Sequence, residues 1–206
     1  MTDCFALLNE PRRPWLSVEE LKAKFIALSS QCHPDRVHGA PEAERMAANQ
    51  RYQELNAAYN VLREPRERLL HLLELEMGGK PKDIQRIPAG TVDLFVEVGQ
   101  TCREVDGFLT ERAGVTSPLL KVQLFERAQG WSEKLDHLRQ KINFQRDELV
   151  KELQAMNATW AGAPAIGSAD RSASLPLERL EQIYRIFSYI ARWTEQVQER
   201  YVQLSF

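Results

Sequence analysis

Cysteine is scarce in this chain of 206 residues, which has only Cys4, Cys32 and Cys102 and no C-x-x-C pair. An odd number of isolated cysteines argues against a disulfide framework and against a zinc site, because both use paired or clustered cysteines. We therefore expect free thiols, a reducing cytoplasmic location, and no bound metal or cofactor.

An excess of charge of one sign and a long apolar run are also missing. The formal net charge is −2 and the pI is about 6.1, which argues against general binding to nucleic acid or to an anionic membrane. No run approaches the roughly eighteen apolar residues of a membrane span. The first residues, Met1 to Asp3, lack the basic start and apolar stretch of a signal peptide. We expect no membrane association.

Sequence motifs of enzymes are absent as well. The chain has no G-x-x-x-x-G-K-[ST], no G-x-G-x-x-G and no H-E-x-x-H, and no serine or cysteine stands in a recognisable nucleophile motif. An enzymatic function is therefore a poor interpretation, and we expect a protein that acts by binding.

Helical spacing of apolar residues is what the sequence has in abundance, and no segment has the pattern of a strand. Two strongly periodic segments, residues 21–28 and 52–62, flank the tripeptide His33-Pro34-Asp35. Pro34 has no N–H and disfavours the helical conformation of the residue before it, so the first helix must end here. The sequence predicts a helical hairpin whose turn presents an imidazole and a carboxylate.

The break at Gly78-Gly79-Lys80-Pro81 is the best domain boundary in the chain. We predict a first domain over residues 1–78, a linker over 79–86 and a second domain over 87–206 that contains a flexible loop over 158–174. Three long apolar stripes in the second domain predict an antiparallel three-helix bundle, with self-association of the bundle left open. The predicted fold class is all-α.

The first domain resembles a J domain, the module by which J-proteins engage DnaK-type ATPase chaperones. The similarity rests on His33-Pro34-Asp35-Arg36, on the apolar residues around it, and on the segment Leu55 to Tyr59. Further residues are similar to the HscB type, the iron–sulfur J-proteins. These are Pro11, Trp15, Leu16, Pro65, Arg68, Leu72 and Leu73.

This resemblance implies a co-chaperone that stimulates ATP hydrolysis by a DnaK- or HscA-type chaperone and delivers an iron–sulfur cluster scaffold protein to it. It implies that the chaperone-binding residues are His33, Pro34, Asp35, Arg36, Lys22 and Lys24. Asp35 would pair with an arginine of the chaperone, and His33 would supply a directional hydrogen bond rather than proton transfer. Helices of this family before the turn usually carry several basic residues, whereas this chain has Ile26 and Ala27 there.

The same resemblance implies a scaffold-binding face on the second domain, for which the candidates are Phe95, Val96, Glu104, Tyr184 and Phe187. An alternative interpretation places these apolar side chains in the core of the bundle and leaves the glutamate merely solvated.

Two further alternatives concern the turn and the overall role. His33, Asp35 and His38 could be metal ligands, although a single short loop without a ligand from elsewhere is a poor zinc site. The protein could also be a J-domain adaptor or coiled-coil structural protein that recruits a chaperone to a different client.

Overall fold

The computed structural model describes residues 2–81, 87–88 and 90–205, without the side chain of Pro34. Over these residues the chain forms eight α-helices and one short 3₁₀ helix, with no strand, so the predicted all-α class is confirmed. The helices are α1 Cys4–Leu7, α2 Val18–Ser29, the 3₁₀ helix Pro34–Val37, α3 Glu42–Arg63, α4 Pro65–Met77, α5 Val92–Ala113, α6 Pro118–Ala161, α7 Arg171–Ser174 and α8 Leu177–Ser205.

The chain divides into two compact units, and each unit is made of two separate stretches of the sequence. Unit 1 comprises Met1–Asp83 and Val150–Tyr184, and unit 2 comprises Ile84–Leu149 and Arg185–Phe206. Helices α6 and α8 thus contribute residues to both units. The predicted linker over 79–86 falls mainly on residues 82–86, which lie outside the described residues. The predicted boundaries at 78 and 87 stay a prediction.

The hairpin of α2 and α3 forms the centre of the N-terminal part of unit 1. Ser17 caps α2 by accepting a hydrogen bond from the backbone N–H of Glu20 at 3.3 Å, as the capping-box pattern predicts. Phe25 of α2 stacks on Tyr59 of α3 with their ring centroids 4.5 Å apart. The apolar stripes of the two helices therefore face each other and fix how the turn between them is presented.

A buried arginine holds the loop before α2 in place. Arg68 of α4 donates to the carbonyl oxygens of Pro14 at 2.9 Å and Leu62 at 2.6 Å. Burial lowers the pKa of Arg68 to about 10, so its guanidinium remains charged at neutral pH and its hydrogen bonds are charge-assisted. Arg68 thus joins α4, the end of α3 and the loop into one packed unit.

The segment over 158–174, predicted to be a flexible loop, is partly helical. Helix α6 continues to Ala161, and α7 occupies the last four residues of the segment. Arg171 makes a buried ion pair with Glu76, and Trp160 is also buried. The prediction rested on Ala, Gly and Ser content, and composition does not show that a charged side chain in the segment has a buried partner.

Unit 2 contains α5, the first part of α6 and the last part of α8. Ion pairs Glu97–Lys141 and Glu111–Arg127 show that α5 and α6 run antiparallel. Arg200 on α8 donates to the carboxylate of Asp106, which lies on α5 between Glu97 and Glu111, at 2.8 Å. This unit buries a core that includes Val98, Cys102, Val105, Leu135, Leu138, Ile142, Ile190 and Val197.

Candidate interaction sites

The turn between α2 and α3 is built by proline chemistry at the end of a helix. His33 takes an extended conformation (φ −64°, ψ 135°) and caps the 3₁₀ helix that Pro34 begins. Its Nδ1 accepts a hydrogen bond from the backbone N–H of Asp35 at 3.3 Å. The guanidinium of Arg36 donates to the Ser30 carbonyl at 3.1 Å, which satisfies a carbonyl near the C-terminal end of α2. The turn is therefore fixed on both sides.

The two polar side chains of the turn are open to solvent. The side chain of Asp35 is 90% exposed and that of His33 is 43% exposed. The His33 ring lies edge-on to Tyr52 of α3, with centroids 5.5 Å apart, so the imidazole is supported on one side only. A carboxylate and an imidazole are thus accessible to another molecule.

The predicted cations near the turn differ in their availability. Lys22 is exposed and has no hydrogen bond or ion pair in the described part of the chain. Lys24 instead pairs with the Glu10 carboxylate at 2.7 Å and donates to the Asn9 carbonyl at 3.2 Å. Because Glu10 is buried, Lys24 neutralises a buried charge and ties α2 to the preceding loop. Lys24 therefore has a role within the fold, and its role in binding a partner stays a prediction.

The proposed metal set at the turn has no geometric support. Within the described residues, no group of three or more histidine, cysteine, aspartate or glutamate side chains could hold a metal ion. His33 and Asp35 approach each other to 3.6 Å between Nδ1 and Oδ2.

An apolar ridge on the outer face of α5 is the second candidate surface. We define the α5 ridge as Val92, Phe95 and Val96, all exposed and spaced as neighbours on one helix face. Tyr189 of α8 packs edge-on against Phe95 with centroids 6.1 Å apart. Spacing from Phe95 and Val96 could have identified Val92, whereas Tyr189 is adjacent only through the tertiary fold.

Polar and acidic side chains line the flank of the α5 ridge that faces α6. An open groove of about 630 Å³ is lined there by Glu97, Gln100, Thr101 and Glu104 of α5 and by Gly130, Glu133, Lys134 and His137 of α6. Gln100 donates to Glu104 at 3.0 Å, and Lys141 pairs with Glu97 at 2.6 Å. Glu104 is therefore an exposed carboxylate of this groove, and its role in binding a scaffold protein stays a prediction.

The remaining two candidates are Phe187, which is buried, and Tyr184, which belongs to unit 1. Phe187 is only 5% exposed and belongs to the core, so its predicted role as a contact residue is wrong for this structure. Its place at helical spacing between Ile183 and Ile190 accounts for its burial. Tyr184 belongs to unit 1, where the guanidinium of Arg66 lies 5.9 Å from its ring centroid. Tyr184 therefore packs within unit 1, while the ridge belongs to unit 2.

None of the helices in the described ranges is long and apolar enough to cross a membrane. All three cysteines are free thiols, and burial raises the pKa of the Cys4 and Cys102 thiols, which makes them less reactive than exposed thiols.

Comparisons with known proteins identify the domain that contains the turn and the fold of the chain. Residues 3–71 match the DnaJ domain family model. Chaperone HscB from Vibrio cholerae has a similar structure, with a TM-score of 0.53 and 21% identity over 95% of this chain and 99% of that chain. The human co-chaperone protein HscB is similar at a TM-score of 0.61 and 16% identity, over 96% of this chain and 81% of that chain. Residues 3–71 therefore form a DnaJ domain, and the chain has the fold of the HscB co-chaperone structures.

Proposed function

We propose that this protein is a co-chaperone that stimulates ATP hydrolysis by a DnaK- or HscA-type chaperone and delivers an iron–sulfur cluster scaffold protein to it. The exposed, rigid turn of His33 and Asp35 within a J domain is the observation that carries the proposal.

The chemistry of the turn suits docking on a basic partner. The Asp35 carboxylate has nine-tenths of its surface free and can form a charge-assisted pair with an arginine of the chaperone. Since Nδ1 of His33 accepts from a backbone N–H, the neutral ring carries its proton on Nε2, which can donate to the partner. The ring of Pro34 restricts its backbone, so docking costs little ordering entropy.

Stimulation of the chaperone follows from selective binding and requires no chemistry by this chain. If the turn binds the hydrolysis-ready arrangement of the ATPase more tightly than its resting arrangement, it shifts the population toward hydrolysis. The effect can be no larger than the difference between the two affinities. We therefore assign the protein the role of an effector and not of an enzyme.

The α5 ridge is the proposed seat of the scaffold protein. Its exposed apolar side chains offer area to bury, and Glu104, about two turns further along α5, offers a charge that can fix the orientation of the partner. Carrying both sites on one chain raises the effective concentration of client at the chaperone.

Single-turnover ATP hydrolysis by a DnaK-type chaperone tests the effector role. The wild-type protein should raise the rate, and His33→Gln should abolish the increase. His38→Gln is the matched control, because His38 is an exposed histidine that follows the same turn and should be dispensable. If His33→Gln stimulates as well as wild type, the proposed docking site is wrong.

Titration of a purified cluster scaffold tests the client. Val96→Asp should weaken scaffold binding by about tenfold or more, because it places a charge in the apolar contact. Val202→Asp on α8 controls for adding a charge at an exposed valine. If the scaffold does not bind the wild-type protein while ATPase stimulation persists, the role as an adaptor for a different client replaces this assignment.

A further inference from the structure

The first turns of α6 carry the densest group of exposed apolar side chains in the described part of the chain. Leu119, Leu120, Val122 and Phe125 lie within seven residues and are 73%, 46%, 61% and 72% exposed. Leu124, among them, is buried and anchors this part of α6 in unit 2. We define the α6 patch as Leu119, Val122 and Phe125. Such a concentration of exposed apolar surface is typical of a site that another molecule covers.

The spacing within the α6 patch suits a contact with a second copy of the same surface. Leu119, Val122 and Phe125 form one row along the helix at spacing i, i+3, i+6. Val122 is the middle of the row and has an apolar side chain at equal steps on either side. A two-fold axis at Val122 would run two copies of α6 antiparallel and bring Leu119 of each copy level with Phe125 of the other. The row is therefore compatible with an isologous contact, in which one surface meets itself.

The area of the α6 patch matches a small dimer interface. Its three side chains expose roughly 350 Å² of apolar surface, if each offers about 150 to 200 Å² when fully exposed. Two copies would together bury about 700 Å² of apolar surface, and a homodimer interface is about two-thirds apolar. With its polar border the interface would cover about 1,100 Å², close to the lower limit for specific contacts between proteins.

The charges beside the α6 patch favour a second copy over an anionic partner. Lys121 and Glu126 are both exposed and cancel each other, while Arg127 forms an ion pair with Glu111 of α5. A surface without net charge can meet a copy of itself without like-charge repulsion. Binding to an anionic membrane would instead need several basic side chains beside the apolar ones, which these residues do not supply.

We propose that this protein forms an isologous dimer through the α6 patch. The proposal is independent of the proposed function, because the patch contains no residue of the His33–Asp35 turn or of the α5 ridge. The Glu111–Arg127 pair places the start of α6 beside the C-terminal end of α5, whereas the α5 ridge lies at the N-terminal end. The part of α5 between Phe95 and Glu111 spans about 24 Å. The dimer therefore leaves the α5 ridge of each copy open and presents two of them.

Sedimentation velocity of the full-length protein over a range of concentrations, from about 1 to about 500 µM, tests the dimer. The wild type should approach the mass of two copies with a dissociation constant of about 10 to 100 µM, because an interface of this size is weak. Phe125→Asp should weaken the dimer by about tenfold or more, since it places a charge in the apolar contact. Phe144→Asp is the matched control, because Phe144 is a 69% exposed phenylalanine of the same helix outside the patch, and it should leave the dissociation constant unchanged. Far-UV circular dichroism checks that every variant is folded.

Several outcomes would overturn this assignment of the α6 patch. A wild type that stays monomeric at the highest concentration rules out the dimer. A dimer that both Phe125→Asp and Leu119→Asp leave intact has its interface elsewhere. Growth beyond two copies contradicts the two-fold contact, because a surface that meets itself is fully used in the dimer. Monomeric wild type that floats with phosphatidylcholine vesicles, when Phe125→Asp does not, would show that the patch meets a membrane surface instead.

Discussion

Removal of the Arg171 guanidinium should destabilise unit 1 far more than removal of a similar guanidinium elsewhere. Arg171 donates from Nε and Nη2 to the two Glu76 oxygens, both at 2.8 Å, and from Nη1 to the Pro164 carbonyl at 2.6 Å. The side chains of Arg171 and Glu76 are only 9% and 2% exposed. This hydrogen-bonded pair also raises the pKa of Arg171.

The expected magnitude follows from what Arg171→Ala leaves behind. Glu76 would remain buried without a counter-charge, and breaking a buried ion pair on one side costs about 3 to 5 kcal/mol. For a chain of this length such a loss lowers Tm by about 10 °C. Replacing both partners together, as in Arg171→Met with Glu76→Leu, removes the uncompensated charge and should recover most of the lost stability.

A second bidentate pair supplies the matched control. Arg179 donates to both Glu152 oxygens at 2.7 Å, which is the same chemistry and the same number of bonds to the carboxylate. These side chains are 41% and 35% exposed, so water solvates Glu152 when its partner is removed. Arg179→Ala should therefore cost less than about 1 kcal/mol.

Urea unfolding followed by circular dichroism measures both variants on the same scale. The reasoning depends on burial and not on the number of hydrogen bonds. Equal losses for Arg171→Ala and Arg179→Ala would refute it. A double variant no more stable than Arg171→Ala would show that the loss comes from missing packing and not from a stranded carboxylate.

Two further predictions concern the N-terminal helices. Nε2 of buried His71 accepts the backbone N–H of Cys4 at 3.1 Å, and burial lowers the His71 pKa against the opposing fields of Asp3 and Glu74. The unfolded chain then binds the proton more readily than the folded chain, so the free energy of unfolding should fall as pH drops below about 6.5. Urea titrations at several pH values measure this dependence, and His71→Gln should flatten it. Ser17→Ala should lower the free energy of unfolding by about 1 kcal/mol, because it removes the side-chain cap of α2. Denaturant unfolding measures this loss, and Ser30→Ala is the control.

The hairpin could be predicted because its determinants are local. Ser17 followed by Glu20 caps α2, and the spacing of Phe25 and Tyr59 places both rings on the inner faces of their helices. Pro34 prevents any helix from continuing past His33, although α2 already ends at Ser29. Each of these signals acts within a few residues and needs no knowledge of the rest of the fold.

Features that depend on distant partners could not be predicted. Arg171 and Glu76 are 95 positions apart, and nothing near either residue indicates the other. Lys24 had the local pattern of a solvated lysine, yet buried Glu10 binds it. Phe187 is a different case, because its spacing from Ile183 and Ile190 already indicated the core. The resemblance implied a contact role for Phe187, whereas the periodicity indicated the burial that the structure shows.

Two of the proposed surfaces, the His33–Asp35 turn and the α5 ridge, differ in whether the residues that would contact a partner also stabilise the fold. Beside the turn, Phe25 of α2 packs on Tyr59 while the Asp35 side chain is exposed, so a substitution of Asp35 should cost the fold little. On α5 the two roles overlap, because Phe95 is partly exposed and also packs on Tyr189. A substitution of Phe95 would weaken client binding by altering the surface or by loosening α5 against α8, and binding alone would not separate these causes. Val96 is more exposed than Phe95, so a loss of binding in its variants reports on the surface itself.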